Sequence, residues 1–106
     1  MQIINNNSVV VTTSDELKTV SKEDNNYTYI YFGNDITLTS GITINKNKEK
    51  VIIDGTYLNT RYTYTGMNSV ENTDVITASP TNRRIIFKNM DVSSVNPFGI
   101  IHVPVY

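Results

Sequence analysis

The chain has no cysteine and no tryptophan, only three prolines and one histidine, and alanine just once. Without cysteine there is no disulfide framework and no thiolate zinc site. The lone histidine, His102, rules out a paired-histidine metal site within one chain. Neither sign of charge dominates: nine Lys and Arg stand against ten Asp and Glu. Neither a nucleic-acid footprint nor an acidic tail is indicated, and no nucleic-acid partner is expected. No apolar run approaches the roughly 18 residues of a membrane span. The opening, Met1-Gln2-Ile3-Ile4-Asn5-Asn6-Asn7, carries no basic segment or cleavage site, so no signal peptide is visible. The five glycines are scattered and form no phosphate-cradling loop.

What is abundant is Asn, Thr and Tyr, with seven Tyr against three Phe. Poor helix formers joined to good strand formers point to a mostly β chain. Its 106 residues make one domain, or a fragment of one. A single helix is expected over about 13–23. Thr13 and Glu16 have capping-box spacing, Asp15 and Glu16 suit the positive end of the helix dipole, and Leu17 and Val20 share a face. Val9–Val11 before it reads as a short strand. After it, Tyr27-Thr28-Tyr29-Ile30-Tyr31-Phe32 alternates, with three tyrosines on one face and Thr28, Ile30 and Phe32 on the other.

Three segments can be laid over one another: IYFGND from Ile30, VIIDGT from Val51 and IIFKNM from Ile85. Each has three strand residues, a spacer and then Asn34, Gly55 or Asn89, types that enter the left-handed backbone region cheaply. Asp54 then reads as a spacer beside a structural corner. The inward column becomes Ile30/Phe32, Val51/Ile53 and Ile85/Phe87. A second column follows the corners, at Gly41–Ile44, Asp74–Thr77 and Gly99–His102. The spacing from Gly55 to Asn89 exceeds that from Asn34 to Gly55, which marks an insertion at about 61–74. The expected architecture is all-β: a parallel β-helix of about three coils over 27–106, with a cap strand and short α-helix over 9–26. The chain stops while still reading as strand, so it is expected to continue, or to associate with another copy through this C-terminal edge.

With those segments in place, the sequence resembles a known family. VTTSDELKTV, YIYFGNDITLTSGITI, KVIIDG and IIFKNMDV together look like the opening of the pectate-lyase-like adhesive domains on surface proteins of low-GC Gram-positive bacteria. The resemblance spans about residues 9–103. It implies a right-handed parallel β-helix, an extracellular or cell-surface location, and an adhesive or structural role. It carries over no catalytic residues.

A working lyase would need clustered carboxylates for calcium and a basic residue. Asp35, Asp54 and Asp91 lie near the corners but out of register with one another, and no dense acidic loop supplies six to eight oxygens. Arg83 and Arg84, at a strand entry, read as solvated charges, and His102 as an exposed strand residue. No catalytic residue, metal ligand or cofactor is expected. The tyrosines offer apolar rings with polar tips. Outward tyrosines and the loop residues Arg61, Tyr62 and Tyr64 are the expected ligand contacts, toward a glycan or a host or bacterial surface protein. Two alternatives belong to other classes: the N-terminal part of a β-helical polysaccharide lyase or hydrolase whose catalytic coils lie elsewhere, and a small structural or phage protein that oligomerises through its open end.

Overall fold

A computed structural model describes residues 1–38, 40–45, 47, 48, 50–66, 75–77, 84–94, 101 and 102, with the backbone alone at 75–77, 84, 94, 101 and 102. In chain order the elements are β1 (Gln2–Asn5), β2 (Ser8–Val11), α1 (Ser14–Lys22), β3 (Tyr29–Phe32), β4 (Ile36–Thr37), β5 (Ile42–Ile44) and β6 (Lys50–Asp54). They continue with β7 (Thr56–Tyr57), β8 (Thr60–Arg61), β9 (Thr63–Thr65), β10 (Val75–Thr77), β11 (Arg84–Lys88), β12 (Asp91–Ser94) and β13 (Ile101–His102).

The helix forms where its local signals place it. Thr13 is the N-cap, its side chain accepting from the Glu16 N–H at 3.1 Å. The reciprocal half of the capping box is displaced by one residue, since the Glu16 carboxylate accepts from the Thr12 N–H at 2.8 Å. Leu17 and Val20 are buried as expected, and so is Ser21. The Ser21 hydroxyl finds no hydrogen-bond partner among the described residues. Ser21→Ala removes this desolvated group and introduces the best helix former. The variant should gain about 1 kcal/mol, read as a higher urea midpoint at unchanged slope; a lower midpoint would show that the hydroxyl is satisfied.

The main sheet has five strands in the order β1-β2-β3-β6-β11. β2, β3, β6 and β11 run parallel, while β1 folds back antiparallel on β2. Because successive side chains on a strand point to opposite faces, the register sorts the sheet into rows. Val9, Ile30, Ile53 and Phe87 form one inward row. Val9, Ile30 and Ile53 are fully buried, and Phe87 packs against the same core. Two outward rows are Ser8, Tyr29, Ile52 and Ile86, and Val10, Tyr31, Asp54 and Lys88. Two three-stranded parallel sheets, β13-β10-β5 and β12-β9-β4, and the antiparallel pair β7-β8 complete the described strands.

This corrects the fold expectation. The described residues make a small mixed-sheet domain of short strands with one helix, not a right-handed parallel β-helix of about three coils, and no closed coil runs through them. The parallel stacking of the apolar runs accounts for the repeat seen in the sequence. A repeat of apolar runs, however, says nothing of the antiparallel returns at β1-β2 and β7-β8, nor of how the short strands are shared among separate small sheets. Residues 67–74 of the expected insertion and residues 103–106 of the expected C-terminal edge lie outside the described residues.

The registers also refine the alignment. β6 and β11 pair as aligned, with Val51 opposite Ile85 and Ile53 opposite Phe87. β3 is offset by two, so Ile30 faces Ile53, and a two-residue shift keeps the same face inward. Between β10 and β13, Val75 faces Ile101, one residue beyond the Ile100 of the alignment.

Candidate functional site: a tyrosine face over Asp54

The outward rows of the main sheet carry an aromatic band. Tyr29 and Tyr31 alternate with the buried Ile30 and Phe32. An amphipathic ring suits a half-exposed strand, since its body covers apolar surface while its hydroxyl stays polar. The two ring centroids are 4.7 Å apart and tilted by 35°. A third ring, Tyr57, lies 5.3 Å from Tyr31.

Tyr57 is delivered by the two-residue hairpin between β7 and β8, where Tyr57 pairs with Thr60. Both tip residues have positive φ, 49° at Leu58 and 66° at Asn59. Positive φ at both central positions is the signature of a type I′ turn, whose twist matches the flanking strands. Asn accepts that conformation readily, whereas Leu does so only under strain. Leu58 is 78% exposed, so packing does not compel its place at the tip.

Beneath the rings sits Asp54, only 5% exposed. Its Oδ2 accepts from the Tyr29 hydroxyl at 2.8 Å, and its Oδ1 accepts from the Thr56 N–H at 2.9 Å. The Asn89 amide lies 3.4 Å from both oxygens. The carboxylate thereby ties β3, the start of β7 and the corner after β11 to one point. The Lys88 ammonium stands 5.3 Å from the Tyr29 ring centroid, a cation–π distance. Burial moves the Tyr29 hydroxyl pKa upward, with Lys88 opposing and Asp54 adding to the shift. Hydrogen bonding to Tyr29 in turn raises the pKa of Lys88.

The expected ligand contacts Arg61, Tyr62 and Tyr64 do not share a surface. The Arg61 guanidinium donates to Asp91 Oδ1 at 2.9 Å and to the Met90 carbonyl at 2.7 Å, clamping β8 to the start of β12. Tyr62 packs partly buried against the core. Tyr64 is 1% exposed, with its ring 5.3 Å from Phe87 and 6.5 Å from Phe32. Alternation from the exposed Arg61 puts Tyr62 and Tyr64 on the opposite, inward side, as their burial shows.

The expected corners divide similarly. Asn89 alone among them has a left-handed backbone, with φ 55°. Asn34 instead caps locally, its side chain accepting from the Asp35 N–H at 2.9 Å. Gly55 is required by close approach to Asn89 and Met90. Asp54, read as a spacer, is the buried hub just described. Asp35, Asp54 and Asp91 are not gathered. Asp35 accepts from the Thr63 N–H and Asp91 holds Arg61. Among the described residues no group of three or more His, Cys, Asp or Glu could hold a metal ion. Arg83 lies outside the described residues, and Arg84 and His102 are described by their backbone alone, in β11 and β13. Tyr57 and Lys88 were not singled out by sequence. Lys88 shares the spacer column with Asp54 in the aligned segments, and their opposite charges are the signal that would have paired them.

Comparison with protein-family models, with curated proteins and with solved structures gives no match. Among the described residues, no helix is long and apolar enough to cross a membrane.

Proposed function

We propose that this chain is a non-enzymatic recognition module that holds a saccharide on the Tyr29–Tyr31–Tyr57 face. The observation that carries this reading is the unbroken contact of three partly exposed rings above a buried, fully engaged carboxylate. Ring faces suit the apolar C–H side of a sugar, and the tyrosine hydroxyls, Lys88 and Asn89 supply a polar fringe for its hydroxyls. An adhesive role at a bacterial cell surface accords with the resemblance of the sequence segments, with the glycan or surface protein of another cell as partner. A protein ligand is the second reading, favoured by the exposed Leu58 at the strained hairpin tip beside Tyr57.

A glycan array with the native chain and Tyr31→Ala tests the first reading. Tyr31 is the middle ring, so its loss should weaken binding at least tenfold, whereas Tyr62→Ala should leave it within twofold. A silent array, or binding that Tyr31→Ala does not change, removes the tyrosine face as a saccharide site.

A further inference from the structure

Strands β2, β3 and β6 are each entered through asparagines. Asn5, Asn25 and Asn45 recur twenty residues apart in the sequence. In each case the side-chain oxygen accepts the backbone N–H two residues on, from Asn7 at 3.0 Å, Tyr27 at 3.0 Å and Asn47 at 2.8 Å. Two of these asparagines also cap α1, the Asn25 amide donating to the Val20 carbonyl and the Asn45 amide to that of Lys22. Three copies of one side-chain turn are thus stacked at the N-terminal ends of neighbouring strands and tied to the end of the helix.

The turns frame a cleft of about 570 Å³, lined chiefly by Asn6, Asn7, Asn26, Asn47, Lys48 and Lys50. That volume falls within the ~300–1,000 Å³ of small-molecule sites. Among the described residues, no side-chain hydrogen bond engages the amides of Asn6, Asn7, Asn26 or Asn47. Each amide offers two donors and one acceptor, the complement of a sugar hydroxyl, which both donates and accepts. Of the two lysines in the lining, Lys50 is exposed and Lys48 is engaged by the protein itself. The Lys48 ammonium donates to the Val20 carbonyl, and the Glu23 and Asp24 carboxylates act on it. Burial lowers its pKa to about 8.

We infer that this asparagine cleft is a second binding site, for a short neutral saccharide, separate from the tyrosine face. Four unengaged amides against two lysines, one of them tied to the Val20 carbonyl, favour a polyhydroxylated neutral ligand over an anion. With no aromatic ring in the lining, binding should be weak.

The test is a titration of the ¹⁵N-labelled full chain, followed by amide NMR, with maltotriose, cellotriose, mannotriose and triacetylchitotriose as probes and inorganic phosphate as the control. At least one trisaccharide should saturably shift the side-chain amides of Asn26 and Asn47 and the backbone signals of Thr28 and Lys50. In the double variant Asn26→Ala/Asn47→Ala, whose side chains hold no turn, that affinity should fall at least tenfold while the rest of the spectrum keeps its native dispersion. The inference is overturned if none of the four sugars moves these signals, if the double variant binds as the native chain does, or if phosphate shifts them in place of the sugars. Shifts confined to Tyr29, Tyr31 and Tyr57 would also overturn it while leaving the tyrosine face standing. Shifts confined to the cleft would do the reverse.

Discussion

Replacing Tyr64 with alanine should cost about 4 kcal/mol of stability, the range found for emptying a buried aromatic position. Tyr64 lies in the middle strand of the β12-β9-β4 sheet, between Ile36 and Val92 in register. Its ring fills the space between Phe32 and Phe87, side chains from two strands of the main sheet. Removing it opens a cavity where two sheets meet, and backbones pinned by parallel ladders on both sides cannot collapse into the gap. For a domain of this size, with total stability of roughly 5–15 kcal/mol, such a loss leaves the fold marginal. Tyr62→Ala, at a half-buried site on the same segment, should cost about 1 kcal/mol. Urea denaturation separates the two, and any loss of ligand binding by Tyr64→Ala should track its unfolded fraction. A Tyr64→Ala chain that kept its midpoint but lost binding would return Tyr64 to the surface.

The burial of Tyr64 shows where the sequence ceases to be informative. Alternation separates the two faces of a strand, but it does not say which face meets the core when both carry tyrosine or threonine. That choice depends on Phe32 and Phe87, about thirty residues upstream and twenty downstream in the sequence. Helix α1 was legible because its determinants are local: the Thr13 cap, the acidic first turn and the spacing of Leu17 and Val20. The parallel neighbours β3, β6 and β11 were legible because three apolar segments recur before similar corners, their inward face fixed by period two. For the same reason a two-residue error at Ile30 did no harm. The antiparallel returns were not legible. Leu58-Asn59 carries no glycine, so the usual composition of a type I′ hairpin is missing although its geometry is present. Asp54-Gly55, which does have that composition, is a strand end pressed against a neighbouring corner. The role of Asp54 as a hub was hidden because only the fold brings together its partners, Tyr29 in β3 and Asn89 at the corner after β11.

Gly55→Ala is the second substitution expected to have a large effect, about 3 kcal/mol or more, as for overpacking at a site that cannot relax. A Cβ at this position would stand 2.8 Å from the Asn89 carbonyl oxygen and 2.8 Å from Met90 Cα, with Met90 Cβ closer still. Two of these are main-chain atoms, so no side-chain rotation relieves the clash. Nor is the glycine free to shift. Its N–H donates to the Lys88 carbonyl at 2.9 Å, and its carbonyl accepts from the Tyr62 N–H at 2.8 Å. Gly33 provides the comparison, because a Cβ there would meet Val10 Cγ1 at 2.7 Å and Thr12 Cγ2 at 3.2 Å, both side-chain atoms. Gly33→Ala should therefore cost only about 1 kcal/mol. The damage at Gly55 also has a direction. Pushing the corner away from Asn89 pulls on Asp54, which anchors the Tyr29 hydroxyl. The near-ultraviolet circular dichroism of the tyrosines should consequently weaken in Gly55→Ala under conditions where the chain is still folded, and stay native in Gly33→Ala. Equal stability losses in the two variants, or an unaltered tyrosine signal in folded Gly55→Ala, would mean that the tyrosine face does not depend on the packed corner beneath it.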